Sequence, residues 1–266
     1  MKYIKYFFQF LLTITFFGLF KLLGPKLSSK FSGFIFEFIG PYFRSKKITE
    51  AMWNNYGRVF AEYIFIKEFR IGKLSNQIDV DGKDILDEII KTNSQVVFIS
   101  GHFANFELMA MYLEKAGIKL STIYRPLNNI FLNKILENIR EKYICKNQIK
   151  KGIGGLKKLM LLKKNNFSSA LMIDQRVSEG IPSKLFNQVA LTTTIPAQIV
   201  KKFNIPVVPV YIQRIQDINF KITIGNPINF SKDTSVKKIT DELNIILEKM
   251  IMEKPEQWIW SHNRWK

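Results

Sequence analysis

The spacing of hydrophobic and polar positions changes character twice along this chain. Close to its start, residues 6–20 form an uncharged run, with Lys2 and Lys5 before it and Lys21 after it. As a helix the run spans roughly 22 Å at about 1.5 Å per residue. That is shorter than the bilayer's hydrocarbon core of about 30 Å. The flanking lysines can snorkel, and Leu22 and Leu23 lengthen the apolar stretch. Gly24-Pro25-Lys26-Leu27 lacks the small-residue pattern of a cleavage site. An uncleaved membrane-anchoring helix over residues 1–24 is therefore expected. Lysines lie on both sides of the run, so charge does not set its orientation. Residues 25–70 also read as helical. Phe31, Phe34, Ile35 and Phe38 recur at helical spacing until Gly40-Pro41 breaks the run. A second helix is predicted over 49–69, with Met52, Trp53, Tyr56, Val59, Phe60, Tyr63 and Ile64 on one broad face that packs into the core.

From Gln77 the pattern alternates. Strands are predicted at 78–80, 96–100, 120–124, 170–173, 206–213 and 220–224. Helices are predicted at 83–91, 105–116, 129–143, 155–164, 196–203 and 236–252. Such alternation gives the α/β class, with a mixed, mostly parallel sheet covered by helices. No internal repeat or linker interrupts it, so residues 25–266 are expected to form a single domain that includes the early helical segment.

Composition narrows the choices. At 47% hydrophobic and 23% charged the chain is globular rather than disordered. Cys145, the only cysteine, cannot form an intramolecular disulfide. One cysteine and two histidines fall short of a usual zinc site, and no metal is expected. The formal net charge of +18 suits nucleic acid, anionic lipid or an acidic protein. Part of it reflects a composition rich in Lys, Ile, Asn and Phe. No nucleic-acid-binding motif accompanies the charge, so no nucleic-acid partner is expected. Residues 142–164 carry lysines and no acid, which reads as a solvated face or as a dock for an acidic carrier protein or anionic lipid. Within it, Lys151-Gly152-Ile153-Gly154-Gly155 lacks the Gly-Lys-Ser/Thr ending of a phosphate-binding loop.

The chemistry concentrates at Ser100-Gly101-His102-Phe103-Ala104-Asn105-Phe106-Glu107. This segment follows a buried strand and precedes a helix, and ligands of open α/β sheets bind beyond the carboxyl ends of strands. On one regular helix His102 and Glu107 would diverge by roughly 140°. They meet only if His102 lies in the turn before the helix, with Asn105 as N-cap and Glu107 in the first turn. An ionised Glu107 would then accept from one imidazole nitrogen and leave the other to take a proton from a substrate hydroxyl. Cys145 has no histidine neighbour in sequence and is a poor nucleophile candidate.

Gly101 to Glu107 resembles the Gly-His-x-Gly-Asn-Trp-Glu block of the bacterial lipid A biosynthesis acyltransferases, the late lauroyl and myristoyl transferases. Ala104 and Phe106 stand where that family usually has Gly and Trp. Four further blocks resemble it in order: Tyr124-Arg125-Pro126, Met172-Ile173-Asp174-Gln175, a stretch over 186–209 that includes Pro196-Ala197, and Pro255-Glu256-Gln257-Trp258 running to Lys266. The resemblance implies a glycerol-phosphate-acyltransferase-like fold. It implies transfer of an acyl chain from acyl carrier protein, the donor substrate in place of any cofactor, to a hydroxyl of a lipid A precursor of the Kdo-lipid IVA type. It also implies the inner membrane, with the catalytic domain on its cytoplasmic face. On this reading His102 and Glu107 are catalytic, and Arg125, Asp174, Gln175 and Asn105 are substrate-binding candidates. Arg176 and Arg264 are weaker candidates for phosphate. Two alternatives stand beside it: a related acyltransferase acting on a lysophospholipid, glycerol phosphate or other glycolipid, and a non-catalytic basic peripheral membrane protein.

Overall fold

The computed structural model describes residues 1–43 and 50–265. It opens with a helix, α1 (Lys2–Phe43), long and apolar enough to cross a membrane. α1 is kinked at Gly24, whose φ of 76° suits glycine. The boundary drawn after residue 24 falls at this kink, but the chain continues as helix on its far side. Gly40-Pro41 does not end the helix as expected, and α1 runs on to Phe43. Gly40 permits this region to pack closely, since a Cβ there would sit 2.2 Å from the Trp53 ring. α2 (Glu50–Glu62) packs along α1, and a short 3₁₀ turn leads to α3 (Ile66–Ile71). The helix predicted over 49–69 is thus divided at residues 63–65, and Thr49 lies outside the described residues.

Among the described residues the main sheet holds seven strands: β1 (Ile78–Asp81), β2 (Val97–Ser100), β3 (Leu120–Tyr124), β4 (Asn147–Lys150), β5 (Ser168–Met172), β8 (Val207–Gln216) and β9 (Asn219–Ile224), in the order β1-β9-β8-β2-β5-β3-β4. Every neighbouring pair is parallel except β8 and β9, which are antiparallel. The α/β class and the mostly parallel sheet are as the alternation predicts. Strand β2 is buried along its whole length, which is why it reads as a continuous apolar run rather than an alternation. The helices α4 (Lys83–Lys91), α5 (Glu107–Lys115), α6 (Ile130–Tyr143), α7 (Ile153–Lys164), α8 (Ile195–Phe203) and α9 (Val236–Glu253) connect and cover the strands.

Three strands were not expected. β4 is a polar edge strand with one buried position, Ile149, so it carries little hydrophobic signal. β6 (Ile181–Leu185) and β7 (Gln188–Thr192) form a separate hairpin. Its two-residue turn is Phe186-Asn187, both at positive φ, where a glycine-containing pair is the more usual signal. The hairpin is fastened to α9 by Asn244, whose Nδ2 donates to Ser183 Oγ at 2.8 Å and Thr192 Oγ1 at 3.0 Å.

One buried polar cluster positions the site. The Glu62 carboxylate accepts from Ser29 of α1 at 2.7 Å, from Arg214 Nη2 of β8 at 3.0 Å and from Asn105 at 3.1 Å. A buried carboxylate needs such donors to offset its lost hydration. The same requirement fastens α1, α2, the sheet and the loop before α5 to one another.

Candidate active site

His102 lies two residues beyond the end of β2, and Asp174 two residues beyond the end of β5. The two strands are parallel neighbours, with Ser100 paired to Met172. Their continuations therefore emerge side by side. His102 Nδ1 lies 2.7 Å from Asp174 Oδ1, and the His102 backbone N–H donates to Asp174 Oδ2 at 2.8 Å. The indole N–H of Trp258 donates to the same Oδ2, also at 2.8 Å. An ionised carboxylate only accepts, so this arrangement favours the Nδ1–H tautomer and leaves Nε2 as an acceptor.

Burial alone would push the His102 imidazole below its ordinary value. The Asp174 carboxylate more than offsets this, and the net shift is upward. For Asp174, burial opposes ionisation, but charge attraction and hydrogen bonds from His102, with that of Trp258, hold its carboxyl below the usual range.

The carboxylate on the imidazole is thus Asp174, where Glu107 was expected. The reason is where α5 begins. Glu107 is its first residue, Phe106 occupies the cap position, and Ala104 turns the chain at φ 41°. Glu107 is held instead by Arg140 of α6, whose Nε and Nη2 donate to Oε1 at 3.0 and 2.7 Å. The Tyr63 hydroxyl donates to the same oxygen at 3.4 Å. Arg140 lies over the rings of Tyr63 and Tyr124. Asn105 does not cap α5: its side chain turns inward to Glu62, is fully buried, and is not among the cavity-lining residues. Asn129, by contrast, caps α6 with its side chain.

His102, Glu107, Arg140, Gln175 and His262 share the wall of a cavity of about 560 Å³. The rest of the lining is mainly apolar: Thr13, Phe17 and Phe36 of α1, Tyr56, Val59 and Phe60 of α2, and Leu132, Ile135 and Leu136 of α6. A few convergent polar groups in an otherwise apolar pocket of this size are the usual form of a small-molecule site. Arg125 is exposed beyond β3 and is not among the lining residues. Arg264 is fully buried and donates to Leu191 O and Thr192 Oγ1, each at 2.7 Å, so its role is to hold β7. Burial pushes the Cys145 thiol up to about 12, which leaves it inert as a nucleophile.

The segment after α9 closes the site from behind. Ala104 N–H donates to Gln257 O at 3.0 Å, and Ile259 N–H donates to His102 O at 3.2 Å. Three of the sequence blocks that stood out, at 101–107, 172–175 and 255–262, thus meet in one place.

Residues 40–266 match the family described as bacterial lipid A biosynthesis acyltransferase. The chain belongs to that family. This lipid A biosynthesis acyltransferase therefore has acyl transfer to a lipid acceptor as its family activity. The match begins at residue 40, so most of α1 lies outside it. Comparison with curated proteins gave no match.

Proposed function

We propose that this acyltransferase moves a fatty acyl chain from the thioester of acyl carrier protein to a hydroxyl of a lipid A precursor of the Kdo-lipid IVA type, at the cytoplasmic face of the inner membrane. The observation that carries the reading is His102, held from behind by the buried Asp174, on the wall of a mainly apolar cavity large enough for an acyl chain.

His102 Nε2 takes the proton of the acceptor hydroxyl as its oxygen attacks the thioester carbonyl. Asp174 keeps the imidazole in the required tautomer and balances the imidazolium that forms. The tetrahedral intermediate expels the thiolate, which receives the proton from Nε2–H. The products are an ester and a free thiol, and no acyl-enzyme is required. In place of the direct contact with His102 first expected, Glu107 acts through Arg140. It fixes the guanidinium against the cavity, where the remaining N–H donors favour a developing oxyanion or a phosphate oxygen.

The test is incubation of the purified protein with acyl carrier protein thioesters and the lipid A precursor, read by mass spectrometry. One added acyl group, lost in His102→Ala, is expected. Parallel reactions with lysophospholipid and glycerol phosphate test the related-acyltransferase alternative. Acylation of those acceptors and not of the lipid A precursor would overturn the acceptor assignment; acylation of none would overturn the catalytic one.

A further inference from the structure

We propose that the first half of α1 lies flat along one face of a bilayer containing anionic lipid, as an in-plane keel of the catalytic domain, and does not span the membrane. Three observations converge on this.

The first is attachment. Between residues 6 and 20 of α1, positions 6, 10, 13, 16, 17 and 20, which fall on one side of the helix, are the ones withdrawn from solvent. They are fastened to the α/β domain from end to end. Asn129 Nδ2 donates to Tyr6 O at 2.8 Å, and Phe7 and Phe10 meet the Phe131 ring. Phe17 and Phe20 pack on Phe60. At about 1.5 Å per residue these contacts cover roughly 21 Å of helix axis. A helix bound along that length cannot stand upright in a bilayer unless it draws the docked part of the domain in with it. That part includes α6, which exposes Lys134, Glu141 and Lys142. Charges carried to that depth are unfavourable, whereas a flat helix leaves them among the headgroups.

The second is the remaining circumference. Tyr3, Ile4, Phe7, Phe8, Leu11 and Leu12 are exposed, and no charge interrupts residues 6–20. Gln9 and Thr15 are the exposed polar residues within 6–20, and a helix otherwise apolar over the faces the protein leaves open favours an apolar medium.

The third is charge. Lys2 and Lys5 lie before the run and Lys21 after it. A spanning helix would place cations on both sides of the membrane, against the usual asymmetry. A flat one brings all of them to the same anionic surface.

Thr13 and Phe17 also line the cavity. On the acyltransferase reading, which this consequence alone rests on, the acyl site is walled by the element seated in lipid, and an acceptor reaches it without leaving the bilayer surface.

The test uses the full chain with Cys145→Ala and one new thiol at a time: Lys2→Cys, Lys21→Cys, or Lys232→Cys on the domain. Each is added to preformed sealed vesicles of phosphatidylethanolamine and phosphatidylglycerol. Labelling by a membrane-impermeant maleimide is compared before and after detergent. Equal labelling of all three thiols before detergent is expected, with binding that resists high salt. Protection of the Lys2→Cys thiol until detergent is added, while Lys232→Cys labels freely, would overturn the proposal. Release of the protein by salt alone would overturn it as well. Neither readout depends on catalysis, so failure here leaves the acyltransferase reading standing, and the reverse also holds.

Discussion

His102 and Asp174 stand at matching positions on neighbouring parallel strands, each two residues past the paired residues Ser100 and Met172. The ladder sets their separation, so the pair is pre-organised by the sheet rather than by a flexible loop. Asp174→Asn tests what the carboxylate contributes. The amide is nearly the same size and still has an oxygen for one backbone or indole N–H, but it carries no charge to hold the imidazole tautomer. Turnover should fall by about 10²–10⁴-fold with the fold intact.

The same pair sets a pH dependence. A general base works only when neutral, and the His102 pKa is raised above its ordinary value by Asp174. Activity should therefore rise with pH, with a midpoint above the usual imidazole value of about 6.5. In the residual activity of Asp174→Asn the midpoint should move to lower pH, because burial then acts with less opposition. A midpoint unmoved by the substitution would separate Asp174 from the catalytic imidazole.

Six strands of the main sheet, their order along the chain and the position of His102 just beyond a buried strand were legible in the residues themselves. β2 and β5 announce themselves as apolar runs, and His102 and Asp174 each follow one of them. The pairing of those two was not legible. Sequence distance favoured Glu107, five residues from His102, over Asp174, far along the chain. Only the strand order, which places β5 beside β2, reverses that preference. Arg140 escaped notice for a similar reason: it lies on a helix whose pattern reads as amphipathic packing, and nothing local marks it as the partner of Glu107. The β6–β7 hairpin was missed because Ser183 and Thr192 put polar residues on its buried face, Val189 is an exposed apolar one, and its turn contains no glycine.

Glu107 and Arg140 should behave as a unit distinct from the His102–Asp174 pair. Glu107→Gln leaves the guanidinium without its charged partner and free to shift on the cavity wall. Activity should fall by at least about tenfold, comparable to loss of a positioned donor. The pH midpoint should move less than in Asp174→Asn, since Asp174 is the stronger charge acting on His102. Arg140→Lys should not restore activity, because an ammonium cannot make the forked contact to the Glu107 oxygen. Steady-state kinetics across pH 5–9 on the three variants would check this, and a full midpoint shift in Glu107→Gln would return Glu107 to direct contact with the imidazole.

Lys163 was counted with its neighbours as part of a solvated lysine face, yet its side chain is buried and its Nζ donates to Val96 O at 3.1 Å. Burial lowers its pKa to about 7 from an ordinary 10.5. The folded state therefore disfavours the charged form. The sign follows: between about pH 10.5 and 7 the unfolded chain binds more protons, so this group costs stability increasingly as pH falls, and the cost levels off below 7. At that plateau it amounts to roughly 3–5 kcal/mol. Lys163→Met should raise the melting temperature at pH 7 and leave little difference near pH 10. Paired thermal unfolding curves across that range give the comparison, and a gap that does not narrow with rising pH would mean the ammonium is hydrated in the fold.

Gly40 tests the close approach of α1 and α2. A methyl group there would lie 2.2 Å from Trp53 Cδ2 and 2.4 Å from Cγ, and Trp53 is itself buried. An indole walled in on its other sides cannot rotate away cheaply, so Gly40→Ala should force the two helices apart and destabilise the protein by about 1–3 kcal/mol. Gly18, on the same helix, has nothing within 4 Å of its Cβ position. Gly18→Ala should be neutral or stabilising by up to about 1 kcal/mol, through helix propensity alone. Because α1 and α2 both line the cavity, Gly40→Ala should also raise KM for the acyl donor, whereas Gly18→Ala should leave it unchanged. Equal behaviour of the two alanines in unfolding and in KM would show that the α1–α2 contact is looser than the glycine implies.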